Sequence, residues 1–285
     1  MVDFFQLVEC PRDAMQGWKT MISAEKKIRY INSLLRVGFH TLDMGSFVSP
    51  KLIPQMADTA EVIAGIDMHS TSTRLLTIVA NARGAEEASV FGQISYLGFP
   101  FSVSPTFQQR NTNSSPEESL IRVKDIYSIC ASSGKKLVVY MSMGFGNPYG
   151  DPYNVDILAS WTEKIASLGV ETISLADTVG VATPIAVSDV VSQIIPRFPG
   201  IVIGVHLHSS PYNMLEKMDA AYLAGCRRFD GAINGIGGCP MADDELVGNM
   251  DTIRMLNYFQ SKDHCREIDP EALEESRKIA LEIFG

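Results

Sequence analysis

The stretch Ile201-Val202-Ile203-Gly204-Val205-His206-Leu207-His208 carries the reading of the whole chain. Its short apolar run, Ile201 to Val205, reads as a buried strand. Side chains alternate across a strand, so His206 and His208 share one face and converge on one point. Two neutral imidazoles at a strand end suit a metal such as Zn, Fe or Mn. The plainer alternative is two polar residues where a buried strand surfaces into a loop.

Outward from this stretch, strand-like runs alternate with helical patterns from end to end. The strands read as Phe5–Cys10, His40–Asp43, Leu75–Val79, Ala88–Phe91, Leu137–Met141, Thr172–Leu175, Ile201–His206 and Arg228–Ala232. Helical patterns fall near 22–37, 52–64, 116–133, 153–168, 183–196, 212–224 and 243–259, with a short turn near 83–86. A last helix, about Pro270–Ile283, begins with proline and is rich in Glu, Ala and Leu. Eight strands with intervening helices and no Pro/Gly/Ser linker predict a (β/α)8 TIM barrel, a single domain over residues 1–285 with a C-terminal helix. A doubly wound open sheet is the alternative. The polar segment Phe99–Ser115 lacks periodicity and reads as a long loop, either mobile or covering a ligand.

Bulk properties agree with one α/β barrel, a fold of roughly 250 residues, in a chain of 285. Apolar content of 46% with 20% charged residues suits a globular protein with a substantial core. The net charge of −9 argues against nucleic acid as a partner, since that calls for a basic face. No uncharged apolar run reaches about 18 residues, so no membrane span is expected. Met1-Val2-Asp3-Phe4-Phe5 has no basic n-region, so no signal peptide is expected either. Cys10, Cys130, Cys226, Cys239 and Cys265 are odd in number and form no CxxC pair. That pattern predicts a reduced, cytoplasmic protein rather than a disulfide scaffold or a thiolate zinc site. Cys130 falls in a helical pattern and is expected in the core, whereas Cys239 lies in a glycine-rich loop.

In such a barrel the chemistry gathers at the C-terminal ends of the strands. Arg12, Asp13 and Gln16 follow the first strand, and Asp43 with Ser46-Phe47-Val48-Ser49-Pro50 follows the second. Ser142 and Gly144-Phe145-Gly146-Asn147-Pro148 follow the fifth, and Asp177 the sixth. His206 and His208 come from the seventh, and Asn234-Gly235-Ile236-Gly237-Gly238-Cys239-Pro240 from the eighth. Each has a structural alternative: Asp13 and Asp177 as turn residues, Arg12 as a rim ion pair, the glycines as a tight connection. Together, on one rim, they point to a site. Lys19 and Lys51 are candidates for phosphate or carboxylate contacts, with ordinary solvated lysines as the alternative.

These segments together resemble the 3-hydroxy-3-methylglutaryl-CoA (HMG-CoA) lyase family of metal-dependent TIM-barrel carbon–carbon lyases. The matching pieces begin with Val8-Glu9-Cys10-Pro11-Arg12-Asp13-Ala14-Met15-Gln16, Ser46-Phe47-Val48-Ser49-Pro50-Lys51 and Pro54-Gln55-Met56. They continue with Ser174-Leu175-Ala176-Asp177-Thr178-Val179-Gly180, Val205-His206-Leu207-His208, Gly235-Ile236-Gly237-Gly238-Cys239-Pro240 and Gly248-Asn249, in family order over almost the whole chain.

The resemblance implies a divalent cation, Mg2+ or Mn2+, held by Asp13, His206, His208 and the side-chain oxygen of Asn249. It implies catalytic roles for Arg12, Asp177, His206 and Cys239, and an acidic residue close to the ion at Asp43. Gln16, Lys19, Asp43 and Ser142 are the substrate-binding candidates. The implied partner is an acyl-CoA, the implied assembly a homo-oligomer, expected as a dimer, and the implied context leucine degradation. A mixed N/O donor set with open positions suits an octahedral ion that chelates a substrate hydroxyl and carboxylate. Retro-Claisen cleavage deprotonates the tertiary hydroxyl while acetyl-CoA leaves as an enolate. The ion lowers the hydroxyl pKa, Arg12 stabilises the enolate oxygen, and His206 or Asp177 moves the proton.

The chain departs from the family pattern at several points. Ala14 stands where Gly is common, and Asp43 where many members carry Glu. Ser209 stands where many carry Asp, which removes a carboxylate behind the histidine pair. Met241–Val247 is more acidic than the small-residue loop of some members, and Phe101–Asn113 reads as insertion-like. Metal-dependent aldolases and acyl-CoA-condensing synthases of the 2-isopropylmalate or homocitrate kind share Arg-Asp and His-x-His and remain alternatives. So does a non-catalytic barrel that binds a metal or acyl-CoA. The Gly-Gly-Cys-Pro loop favours the lyase.

Overall fold

The computed structural model describes residues 5–69, 71–237 and 247–285. Its strands are β1 (Gln6–Glu9), β2 (Thr41–Ser46), β3 (Arg74–Ile78), β4 (Ile94–Ser102), β5 (Lys136–Ser142), β6 (Thr172–Asp177), β7 (Val202–Leu207) and β8 (Arg228–Gly231). They pair in chain order, all parallel, and β8 closes on β1, which gives the predicted (β/α)8 barrel. Alternation sets the two layers of packing. On β7, Ile203, Val205 and Leu207 join the main core beneath the helices, and the intervening Gly204 and His206 face the barrel interior. The interior is lopsided. Leu76, Ile78, Tyr96, Val138 and Tyr140 form an apolar cluster of their own on the β3–β5 side. The β6–β8 side carries the buried polar residues Ser174, His206, Arg228 and Asp230.

The helices begin where side chains satisfy their first backbone N–H groups. Ser23, Asn154, Thr183, Asp251 and Asp269 each accept such a bond. Ser115 and Glu118 cap the helix Pro116–Ser132 reciprocally. The last helix, Pro270–Phe284, packs on Ala24–Leu35, with Ser276 Oγ 3.0 Å from Ser33 Oγ.

The fourth strand corrects the sequence reading. Ala88–Phe91 is not a strand; Ala82–Ser89 is a helix, capped by Asn81, with Ala85 and Ala88 on its buried face. The strand lies further on, at Ile94–Ser102, where Gly98 and Pro100 hide its character. Gly98 is a close-approach position, since a Cβ there would come within 2.5 Å of Ile78 Cδ1. The expected loop Phe99–Ser115 is the end of β4 followed by a helix, Pro105–Thr112, capped by Ser104. Only Phe107 and Gln108 of that helix are buried, so it has no periodic apolar face. The pattern at 52–64 divides into a 3-10 turn, Pro54–Met56, and a helix, Thr59–Ala64. That at 243–259 overlaps the helix Thr252–Gln260, and residues 243–246 of the pattern lie outside the described ones.

Candidate active site

β1 runs straight into a short helix, Pro11–Gln16, with Pro11 at its first position. This turn was not foreseen, and it places Arg12 and Asp13 at the C-terminal mouth of the barrel. His206 reaches the same mouth from the end of β7, and His208 lies just beyond it. The chain after β8 returns to that strand end: His208 and Asn249 form an antiparallel bridge, and Ser209 N donates to the Gly248 carbonyl at 2.9 Å.

The ligand atoms of Asp13, His206 and His208 all lie within 4.8 Å of one another, and all three residues are buried. The two Nε2 atoms face each other at 3.3 Å. His206 Nδ1 is 3.3 Å from Asp230 Oδ2, so this imidazole is anchored on one side and presents Nε2 on the other, as metal-ligating histidines do. Burial, followed by the neighbouring His206, lowers the His208 pKa to about 4. For His206, burial is outweighed by the Asp230 hydrogen bond and the charge of Asp13, and the pKa rises. Burial pushes the Asp13 carboxyl up, but Arg12, both histidines and Asn249 outweigh it and hold it low.

Arg12 is clamped between two carboxylates. Its Nη2 and Nε contact Asp43 Oδ2 at 2.5 and 3.1 Å, and Nη1 donates to Asp13 Oδ1 at 3.0 Å and Gln16 Oε1 at 2.8 Å. Gln16 Nε2 donates in turn to Asp13 Oδ1 at 2.8 Å. Two carboxylates on one guanidinium leave a net negative centre facing two imidazoles, a donor set that suits a divalent cation. Asn249 Nδ2 donates to Asp13 Oδ2 at 2.7 Å and to the Ile236 carbonyl at 2.9 Å, so the amide oxygen is the atom left to face an ion.

Other predicted residues stand apart from this cluster. Asp177, at the end of β6, pairs with Lys217 Nζ at 2.9 Å and accepts from Ala182 N at 3.2 Å. Burial raises its carboxyl despite Lys217. Ser142 ends β5 and is buried, its carbonyl accepting from Val103 N. Lys19 is exposed. Gly235 and Gly237 take positive φ, as a loop needing backbone freedom does, while Gly238 and Cys239 lie outside the described residues.

The sequence reading missed several buried polar groups beside the site. Lys217 donates to Asp177, to the Gly180 carbonyl and, at 2.9 Å, to the His208 carbonyl. Glu9 accepts from Ile233 N at 2.9 Å and Thr252 Oγ1 at 2.5 Å, fastening β1 to the chain after β8; burial pushes its carboxyl up to about 8. Arg228 and Asp230 pair at 2.6 Å inside the barrel. A signal for the last two was present. Charged residues on either side of Phe229 in a buried strand share one face and must find partners.

Comparison with known proteins bears on the same residues. A family model described as HMGL-like matches residues 5–278. Hydroxymethylglutaryl-CoA lyase YngG of Bacillus subtilis is 32% identical over 275 residues, 96% of this chain and 91% of that protein. The mitochondrial hydroxymethylglutaryl-CoA lyase of Bos taurus is 34% identical over 249 residues, 85% of this chain and 74% of that one. Among solved structures, the HMG-CoA lyase of Acinetobacter baumannii in complex with coenzyme A and 3-methylmalate superposes with a TM-score of 0.89 at 30% identity. That match covers 99% of this chain and 91% of the other. With the match running through β1, the histidine pair and the return after β8, the chain belongs to the HMGL-like family.

Proposed function

We propose that this chain is an HMG-CoA lyase that cleaves HMG-CoA to acetyl-CoA and acetoacetate, with Mg2+ or Mn2+ held by Asp13, His206, His208 and the Asn249 amide oxygen. The observation that carries the reading is the convergence of Asp13, His206 and His208 at the barrel mouth, with Arg12 against Asp13. When bound, the ion supplies the Lewis acidity that lowers the pKa of the substrate hydroxyl. The reaction takes a proton from that hydroxyl, breaks the carbon–carbon bond and returns a proton to the enolate carbon. Arg12 offers a guanidinium N–H to the enolate oxygen as charge develops there. Gln16 holds both Arg12 and Asp13 in register. Asp177 serves this site through Lys217, which grips the His208 carbonyl, so we assign it a positioning role. A coupled assay with HMG-CoA is expected to release acetyl-CoA and acetoacetate in equal amounts, to stop with EDTA and to resume with Mg2+ or Mn2+. Folded protein that releases neither product with either ion would overturn the assignment.

Cys239 enters the proposal as the proton donor or positioning group near the reacting carbons. Cys10, Cys130, Cys226 and Cys265 are all buried, and burial raises each thiol. A thiol reagent on the folded protein is therefore expected to act first at Cys239 and to abolish turnover, with substrate slowing the reaction. Cys239→Ser should keep the ion and lose most of kcat. Unchanged kcat in that variant would remove the cysteine from the mechanism. We extend the proposal to a cytoplasmic homodimer; a light-scattering mass at 31.2 kDa, that of one chain, would refute the dimer.

A further inference from the structure

Behind the histidine pair, and including His206, lies a buried layer whose other members no step above uses. Its members come from three adjacent strands: Ser174 on β6, Gly204 and His206 on β7, and Arg228 and Asp230 on β8. Asp230 is the hub. Oδ1 takes Arg228 Nη1 at 2.6 Å, and Oδ2 takes Ser174 Oγ at 3.3 Å and faces His206 Nδ1 at 3.3 Å. The Asp230 side chain is 0% exposed and that of Arg228 3%. A carboxylate at that depth without a partner would cost several kcal/mol. Arg228 supplies the opposite charge at 2.6 Å, and Gly204 leaves room for the arginine side chain. A Cβ at position 204 would sit 3.0 Å from both Cγ and Cδ of the arginine.

Cys10, His206 and Asp230 also bring their ligand atoms within 4.8 Å of one another, which raises the question of a second ion. Arg228 answers it. A guanidinium 2.6 Å from the carboxylate already supplies the positive charge, and a cation beside it would be repelled. The layer is therefore built to hold an imidazole.

We propose that Asp230 is the positioning residue of His206: its carboxylate takes the Nδ1–H and fixes the ring, with Nε2 turned toward Asp13 and His208 as the ligand atom. The inference rests on the reading of Asp13, His206 and His208 as ion ligands.

The test is a Mn2+ titration followed by electron paramagnetic resonance, alongside melting curves, on the full-length protein. Asp230→Asn is expected to bind Mn2+ about 10- to 100-fold more weakly than the unaltered chain. Because this change strands the Arg228 charge, the double variant Asp230→Asn with Arg228→Gln serves wherever the single one does not fold. A purely structural Asp230 would lower Tm and leave the Mn2+ Kd in place. Binding within about twofold of the unaltered chain, in a folded variant, overturns the inference provided His206→Ala loses the ion. Equal Mn2+ binding by the unaltered chain and His206→Ala instead overturns the ligand reading beneath it.

Discussion

His206→Ala and His208→Ala proteins are each expected to lose about 100- to 1000-fold of HMG-CoA cleavage at a fixed Mg2+ concentration, and Mn2+ affinity with it. A Lewis-acid contribution of several kcal/mol gives that range at about 1.4 kcal/mol per decade. Removing one donor weakens the hold on the ion. The fold should survive, because the bonds around position 208 use backbone atoms and Asp230, on losing His206, keeps Arg228 and Ser174. Lys217 takes the His208 carbonyl, the bridge to Asn249 is a backbone one, and Ser209 N bonds Gly248. Asp13→Asn tests the same centre through charge, since it removes a carboxylate that Arg12 and both histidines hold ionised. Turnover and Mn2+ binding should fall together in all three. Any of these variants that regains full activity after EDTA treatment and Mg2+ return would take its residue out of the ligand set.

The barrel was legible because its evidence is spread along the chain. Strands such as β3, β5 and β7 are short apolar runs bounded by helical patterns, and misplacing β4 does not change the count of alternations. β4 itself was hidden by the lopsided interior: Gly98 is needed for clearance inside the barrel, and it broke the apolar run that marks a buried strand. The histidine pair was legible because strand alternation alone places His206 and His208 together, and the 5.2 Å between their ring centroids follows from it. Contacts made across the barrel left no such local trace. That Asp43 grips Arg12 depends on which strand neighbours β1, and that Asp177 meets Lys217 depends on where the helix Met214–Leu223 brings that lysine. The sequence reading takes a catalytic role for Asp177 from the family resemblance and from its place on the rim. Its buried lysine partner, remote in sequence, is what favours a positioning role.

Arg12→Met and Arg12→Lys are expected to lower kcat by about 100- to 1000-fold with a modest change in KM, the loss typical of removing an oxyanion donor. The geometry explains why lysine should not rescue. A guanidinium has five N–H donors. Nε–H and one Nη2–H go to Asp43, and the two on Nη1 go to Asp13 and Gln16. One Nη2–H remains, held by this fork, for an oxygen that carries most of its charge near the transition state. A lysine ammonium has no planar fork and cannot span Asp43, Asp13 and Gln16 while pointing a donor at a fixed position. The methionine variant also leaves Asp43, 1% exposed, without its cation, a change that costs about 3–5 kcal/mol in buried pairs. Its melting temperature must therefore be measured beside its kinetics. The lysine variant keeps the charge and isolates the geometry. Asp43→Asn completes the set: it touches no proposed ligand, yet it loosens the clamp on Arg12 and should lower kcat in the same direction by less. A rise in KM with kcat unchanged in Arg12→Lys would make Arg12 a substrate-binding residue and leave the enolate oxygen to another group.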